Sequence, residues 1–331
     1  MIDRSIELPK NPYEGDTLYQ DYDLRNHCDI HNHCETFSFD GGQTIDEQIA
    51  WARKLGFRHH TLSDHFDKGH LDRLEGTITL TRDREKYPKI EDEPGEDSEW
   101  IFSIEDYFKT LRAKQEELSK EDDPLELLIG IELGYFPEIK DDLNAMVKRW
   151  PFDLVIGSAH SYDGGEIWSN RAFYNQGKEK AYAQYLERLI EITKELDCDV
   201  LGHFDYVTRY NDYAQPKYRY DEFPDLFDTL FRTLIDEGVS FEINTGTQVR
   251  ALDTPAPTRS YPLDEVDLPD PKILERYKDL GGELISIASD GHYLGHGARL
   301  FKENLAYLDS LGFKYVFYYR ERKPVAVPIH G

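Results

Sequence analysis

Six of the twelve histidines, His31, His33, His65, His160, His203 and His292, stand at the C-terminal ends of short β-rich runs. Asp29, Asp64, Glu132 and Asp290 stand at the same ends. Side chains with metal-binding and acid–base chemistry are rarely so regular in position. In a closed parallel barrel all strand C-termini open on one face, where active sites of such folds are built. A barrel of this kind would gather these dispersed residues into one cluster.

The rest of the sequence agrees with that topology. The β-rich runs "CDIHNH", "RHHTLSD", "LELLIGIEL", "DLVIGSAHS", "CDVLGHFD", "SFEINTG" and "LISIASDGH" alternate with runs of helical period. The latter are "TIDEQIAWARKLG", "SIEDYFKTLRAKQEELSK", "IKDDLNAMVKRW", "KEKAYAQYLERLIEITKEL", "FPDLFDTLFRTLIDEG" and "PDPKILERYKDLGG", with apolar residues near i, i+3, i+4 and i+7. Strand–helix alternation predicts an α/β fold with a parallel sheet. The 331 residues fit one barrel domain, residues 1–331. Three segments interrupt the alternation, at about 66–102, 162–177 and 247–268, all leaving the strands' C-terminal end. The first is charged and carries Pro88, Pro94 and Gly95, as an insertion or lid would. The tail "FKYVFYYRERKPVAVPIHG" reads as one extended segment packed on the outside, with no chemistry.

Composition narrows the function. Apolar residues make up 39% and aromatics 13%, ample for a core. The formal charge of -26, from 65 acidic against 39 basic residues, repels polyanions and argues against a nucleic-acid partner. An anionic small substrate then needs local cations. Cys28, Cys34 and Cys198 are odd in number and form no CxxC pair, which suits a reducing cytoplasm. The start "MIDRSIELPKNPYEGD" has no apolar core of a signal peptide, and no window reaches the roughly 18 apolar residues of a membrane span. Neither export nor a membrane partner is expected, and no feature specifies an oligomeric state.

Spacing points to metal. Residues two apart on an extended strand face the same way, so His31 and His33 can approach one ion, with Asp29 on the same face. Asp290 and His292 in "SDGH" repeat the device. Glu132, flanked by apolar residues in "IGIELGY", is costly to bury unless paired or metal-bound. His160 and His203 read equally as ligands or as core histidines bonded to carbonyls. Asp40 reads either as a ligand or as a cap for the helix starting near Thr44.

In this order, "DIHNH", "SDH", "IGIELGY", "VIGSAHSYDG", "LGHFDYVTRY", "FEINTG" and "IASDGH" resemble the polymerase and histidinol phosphatase (PHP) superfamily, most closely its histidinol-phosphatase branch. The resemblance runs over the chain after about Asp23. It implies a distorted (β/α)7 barrel with a trinuclear metal centre at the C-terminal ends of the strands. Carried over motif by motif, the ligands are His31, His33, Asp40, His65, Glu132, His160, His203, Asp290 and His292. Asp40 follows His33 by seven residues, where the family's residue usually follows by about six.

Mixed imidazole and carboxylate ligands suit zinc, manganese or iron better than magnesium or calcium. The expected reaction is metal-dependent hydrolysis of a phosphate monoester, with Glu132 bridging two ions. By the resemblance, the substrate is L-histidinol phosphate, in histidine biosynthesis. Alternatives are another phosphoester, a nucleotide or a phosphodiester, or a non-catalytic metal-stabilised module. Asp64 or water supplies the leaving-group proton, unless Asp64 instead orients a ligand imidazole. Arg209 and Arg250 are the candidate phosphate binders. By charge, Asp163 and Asp205 are candidates to meet a substrate cation.

Overall fold

The structure is a computed structural model that describes residues 6–67, 78–80, 100–162, 165–249, 252 and 256–330. Seven parallel strands form the barrel: β1 (Cys28–Asp29), β2 (His59–Leu62), β3 (Glu126–Gly134), β4 (Leu154–Ser158), β5 (Val200–Leu201), β6 (Ser240–Asn244) and β7 (Ile285–Ala288). They are hydrogen-bonded in chain order. A two-residue strand, His65–Phe66, prolongs β2: His59 faces Glu126 and His65 faces Glu132, so the register continues unbroken.

The ring closes between β7 and the stretch after β1. Asn32 and Gly291 form a parallel bridge, and Gly291 N donates to His31 O at 3.2 Å. Asp29 staples this seam by accepting from Ser289 N at 3.0 Å and Ala298 N at 2.6 Å. Its carboxylate therefore does not share the face of His31 and His33. The expected alternation fails because the ladder of β1 ends at Asp29, two residues before His31, and Asp29 is turned toward β7 instead.

Helices α1 (Ile45–Leu55), α2 (Ile104–Leu118), α3 (Lys140–Arg149), α4 (Lys178–Glu195), α5 (Pro224–Glu237), α6 (Pro271–Asp279) and α7 (Phe301–Ser310) cover the barrel. Helix α1 shows how local sequence sets the boundaries. Thr44 Oγ1 accepts from Glu47 N at 3.1 Å while Glu47 Oε2 accepts from Thr44 N at 2.8 Å, a reciprocal cap. Gly56 ends it in the left-handed region at φ 97°. Thr44, not Asp40, is thus the cap.

Strand alternation layers the barrel. Along β3, Leu127, Ile129, Ile131 and Leu133 join the cluster under the helices, while Leu128 and Glu132 belong to the interior. Along β4, Val155 faces the helices, whereas Leu154 and Ile156 line the interior below Ser158 and His160. The lower interior is apolar. It is plugged by an antiparallel hairpin of β8 (Tyr315–Arg320) and β9 (Lys323–Pro328). Tyr318, Tyr319 and Val327 of this hairpin pack on Cys28, Ile30, Leu128, Leu154, Ile156, Val200 and Ala288. The expected single outer segment is therefore a hairpin that completes the core. Its turn is pinned by Glu321 N donating to Asp153 Oδ1 at 3.0 Å and Arg322 Nε to Asp199 Oδ2 at 2.5 Å.

Of the expected lid, Ile78–Leu80 and Trp100–Phe102 pair antiparallel, and residues 68–77 and 81–99 lie outside the described residues. The second interruption forms a small hairpin, Ser161–Tyr162 with Gly165–Glu166, followed by a short helix, Arg171–Asn175. The third begins with the turn of helix Thr245–Gln248.

Candidate metal centre

The upper interior is polar because inward positions turn from aliphatic to polar toward the C-terminal ends of strands: on β3 Leu128 gives way to Glu132, and along β4 Leu154 and Ile156 give way to Ser158 and, just past its end, His160. Glu132 sits at the middle, fully buried. Its Oε1 lies 3.0 Å from Nε2 of both His160 and His203, 3.3 Å from His31 Nε2, and accepts from Ser158 Oγ at 2.6 Å. Its Oε2 lies 2.6 Å from His65 Nδ1. Burial opposes the charge, yet His31, His160 and His65 hold this carboxyl well below the usual carboxylate range.

The remaining residues close around it. His33 Nε2 is 3.2 Å from Asp290 Oδ1, and His65 Nε2 is 3.3 Å from His292 Nε2. Asp40 Oδ2 is 3.1 Å from His292 Nε2 and 3.6 Å from His65 Nε2. All nine ligand candidates named from the sequence are thus brought into one cluster, Asp40 included.

The atoms are arranged for cations rather than for each other. Among the described residues, His31 Nε2, Asp40 Oδ1, His65 Nδ1 and Glu132 Oε2 are buried without a hydrogen-bond partner. Such orphaned atoms cost free energy unless something else satisfies them. The Nε2 atoms of His160 and His203 lie 3.3 Å apart, as do those of His65 and His292. Tetrahedral ligands at a zinc–nitrogen distance of about 2.05 Å are separated by about 3.3 Å. Among the described residues, four sets of three close ligand atoms occur: His33, His65 and His292; His31, His33 and Asp290; His65, Asp67 and His160; and Glu132, His160 and His203. The donor set fits a multinuclear site for nitrogen- and oxygen-loving divalent ions.

Outer partners aim the imidazoles. Asp67 Oδ1 is 3.0 Å from His160 Nδ1. That approach needs Gly134, since a Cβ there would fall 1.6 Å from Asp67 Oδ1. His292 Nδ1 is 3.0 Å from Asp290 O, and Glu242 Oε2 is 3.0 Å from His31 Nδ1. Asp67 and Glu242 were not singled out in the sequence. Glu242 had a signal, since Glu242 and Asn244 occupy alternate, inward positions of a strand whose intervening residues, Phe241 and Ile243, are apolar and face the helices.

Asp64 lies behind the cluster. Its Oδ1 accepts from Cys34 N and Ser38 Oγ, both at 2.7 Å, and Ser38 Oγ lies 3.4 Å from His33 Nδ1. Burial pushes its carboxyl up to about 6. Through Ser38 these contacts reach the His33 imidazole. Arg209 does reach the rim. Its Nη1 donates to Asp290 Oδ2 at 2.8 Å, Nε to Thr247 Oγ1 at 2.8 Å and Nη2 to Asn244 Oδ1 at 2.9 Å. Asp205 accepts from the same Thr247 at 3.0 Å. Through Thr247 it is joined to Arg209. Arg250 and Asp163 lie outside the described residues.

Comparisons with known proteins point to a family and a fold. The PHP domain profile matches residues 29–246. A probable histidinol-phosphatase of Clostridium acetobutylicum is 27% identical over 221 residues, 66% of this chain and 78% of that protein. The histidinol-phosphatase of Lactococcus lactis is 27% identical over 248 residues, 72% of this chain and 84% of that protein. Among solved structures, histidinol phosphate phosphatase from Lactococcus lactis, in complex with zinc, L-histidinol and phosphate, matches with a TM-score of 0.69 at 22% identity. That match covers 90% of this chain and 98% of the other.

Proposed function

This chain belongs to the PHP domain family, and from that premise we propose that it is a metal-dependent phosphomonoesterase that hydrolyses L-histidinol phosphate to L-histidinol and phosphate. The observation that carries the reading is the convergence of six imidazoles and three carboxylates, four of whose buried atoms have no hydrogen-bond partner. The names of the relatives support the choice of substrate.

His31, His33, Asp40, His65, Glu132, His160, His203, Asp290 and His292 would hold up to three divalent ions, zinc, manganese or iron. When bound, such ions acidify water toward neutral pH and neutralise charge developing on phosphoryl oxygens. The chain's own residues do the rest. Glu132 turns Oε1 toward His31, His160 and His203 and Oε2 toward His65, so its two oxygens would serve two ions. Arg209, fixed in plane by Asn244 and Thr247, offers N–H groups to a phosphate at the rim. Arg250 is assigned the same task from its place after β6. Asp64 holds Ser38 and, through it, His33.

We place the protein in the cytoplasm, a reading supported by three buried, free thiols. No described helix is long and apolar enough to cross a membrane. Phosphate release from a panel of monoesters and diesters tests the substrate. L-Histidinol phosphate should give the highest kcat/KM. A nucleotide or diester ranking first would replace it while leaving the metal centre intact.

A further inference from the structure

Glu242 has no ligand role above, yet it is fully buried beside the centre. A buried carboxylate survives only where its oxygens are satisfied. Here both are engaged. Oε2 lies 3.0 Å from His31 Nδ1, while Oε1 accepts from His203 N at 3.0 Å and Asn244 Nδ2 at 2.8 Å. Asn244 Oδ1 in turn accepts from Arg209 Nη2 and Gly246 N, both at 2.9 Å. Arg209 reaches Asp290 Oδ2, whose other oxygen faces His33. An unbroken chain of contacts therefore runs from His31 through Glu242, Asn244 and Arg209 to Asp290.

We propose that Glu242 is a positioning residue that sets the tautomer of His31 and, through Asn244, the plane of the Arg209 guanidinium. A carboxylate only accepts, so His31 must donate from Nδ1, and its lone pair then sits on Nε2. Nε2 is the buried atom of His31 that has no hydrogen-bond partner and lies 3.3 Å from Glu132. The outer carboxylate also raises the basicity of the imidazole toward a cation. The inference rests on the metal-centre reading above, and it is independent of which ester is cleaved.

Glu242→Gln tests it with almost no change of shape. The two donors at Oε1, His203 N and Asn244 Nδ2, require an oxygen there, so the new amide NH2 must face His31 Nδ1. Nδ1 then has to accept, the proton moves to Nε2, and the lone pair aimed at the centre is lost. Zinc affinity, read by chelator competition, should fall about 10- to 100-fold while the metal-free protein stays folded. In a His31→Ala background the same substitution should cost little more, because the two act as a unit. Wild-type affinity in Glu242→Gln, or losses that add fully in the double variant, would overturn the proposal. Nitrogen NMR of the wild-type imidazoles needs no variant at all: His31 is expected as the Nδ1–H tautomer, and an Nε2–H tautomer would equally overturn it.

Discussion

At the scale of single residues, the account turns on Glu132. Glu132→Gln keeps the side chain's shape and removes the negative charge at the middle of the cluster. Bound metal should drop by at least one ion per chain, and kcat should fall by more than the roughly 100-fold upper range seen for outer partners of metal ligands. Elemental analysis alongside phosphate release checks both; full metal and full turnover would remove Glu132 from the centre. Arg250→Ala should instead keep the metals and raise KM, since a phosphate contact made equally in ground and transition states affects binding alone. The ligand histidines were legible because imidazoles recur at strand ends, a pattern that survives without coordinates. Asp40 stayed ambiguous until the family resemblance was added, since nothing local distinguishes a loop carboxylate that binds a cation from one that caps a helix. Asp29 was misread for the opposite reason. Alternation assumes a regular strand, and the seam of the barrel is where that regularity ends. The carboxylates that orient ligands, Asp67 and Glu242, require the fold to reveal which imidazole each one meets.

Elements were read well in number and less well in extent. All seven barrel strands exist, yet "CDIHNH" supplies only Cys28–Asp29 to the ladder and "CDVLGHFD" only Val200–Leu201. Beyond these residues the pairing continues only as single contacts, such as the Asn32–Gly291 bridge and Gly202 N to Gly157 O, while the side chains turn to the site. Helix α7 was missed although "LFKENLAYLDSLG" has apolar residues at helical spacing. The tail was taken for an outer segment because its aromatic run says nothing of a partner, whereas folding places it beneath the barrel. That role has a measurable cost. Tyr319→Ala empties a fully buried ring from the plug and should lower stability by about 3–5 kcal/mol. Tyr319→Phe loses only the 2.8 Å hydrogen bond with Ser240 Oγ and should cost about 0.5–1.5 kcal/mol. Urea unfolding of the two variants distinguishes plug from ornament; equal, small losses would mean that the hairpin is not part of the core.

Across the whole molecule, segments far apart in sequence are tied through one buried acid. Glu303 on α7 accepts from Tyr13 Oη at 2.9 Å and from Tyr261 N at 3.0 Å. Burial raises its carboxyl from 4.5 to about 7. The folded state therefore holds this proton more tightly than the unfolded chain does. The resulting stability is fully present below the unfolded value, declines as pH rises through about 7, and is flat above it. Relative to Glu303→Gln, which has no proton to lose, the wild type should lose melting temperature across that window; parallel profiles would show that the acid is not held in this state. The central claim, however, is that the barrel's upper face is a working metal centre, and one titration addresses it directly. Chelator-stripped protein should release no phosphate from L-histidinol phosphate, and turnover should return as zinc or manganese is added, saturating at about three equivalents per chain. Undiminished turnover in the stripped protein, or none at any metal level, would contradict the account.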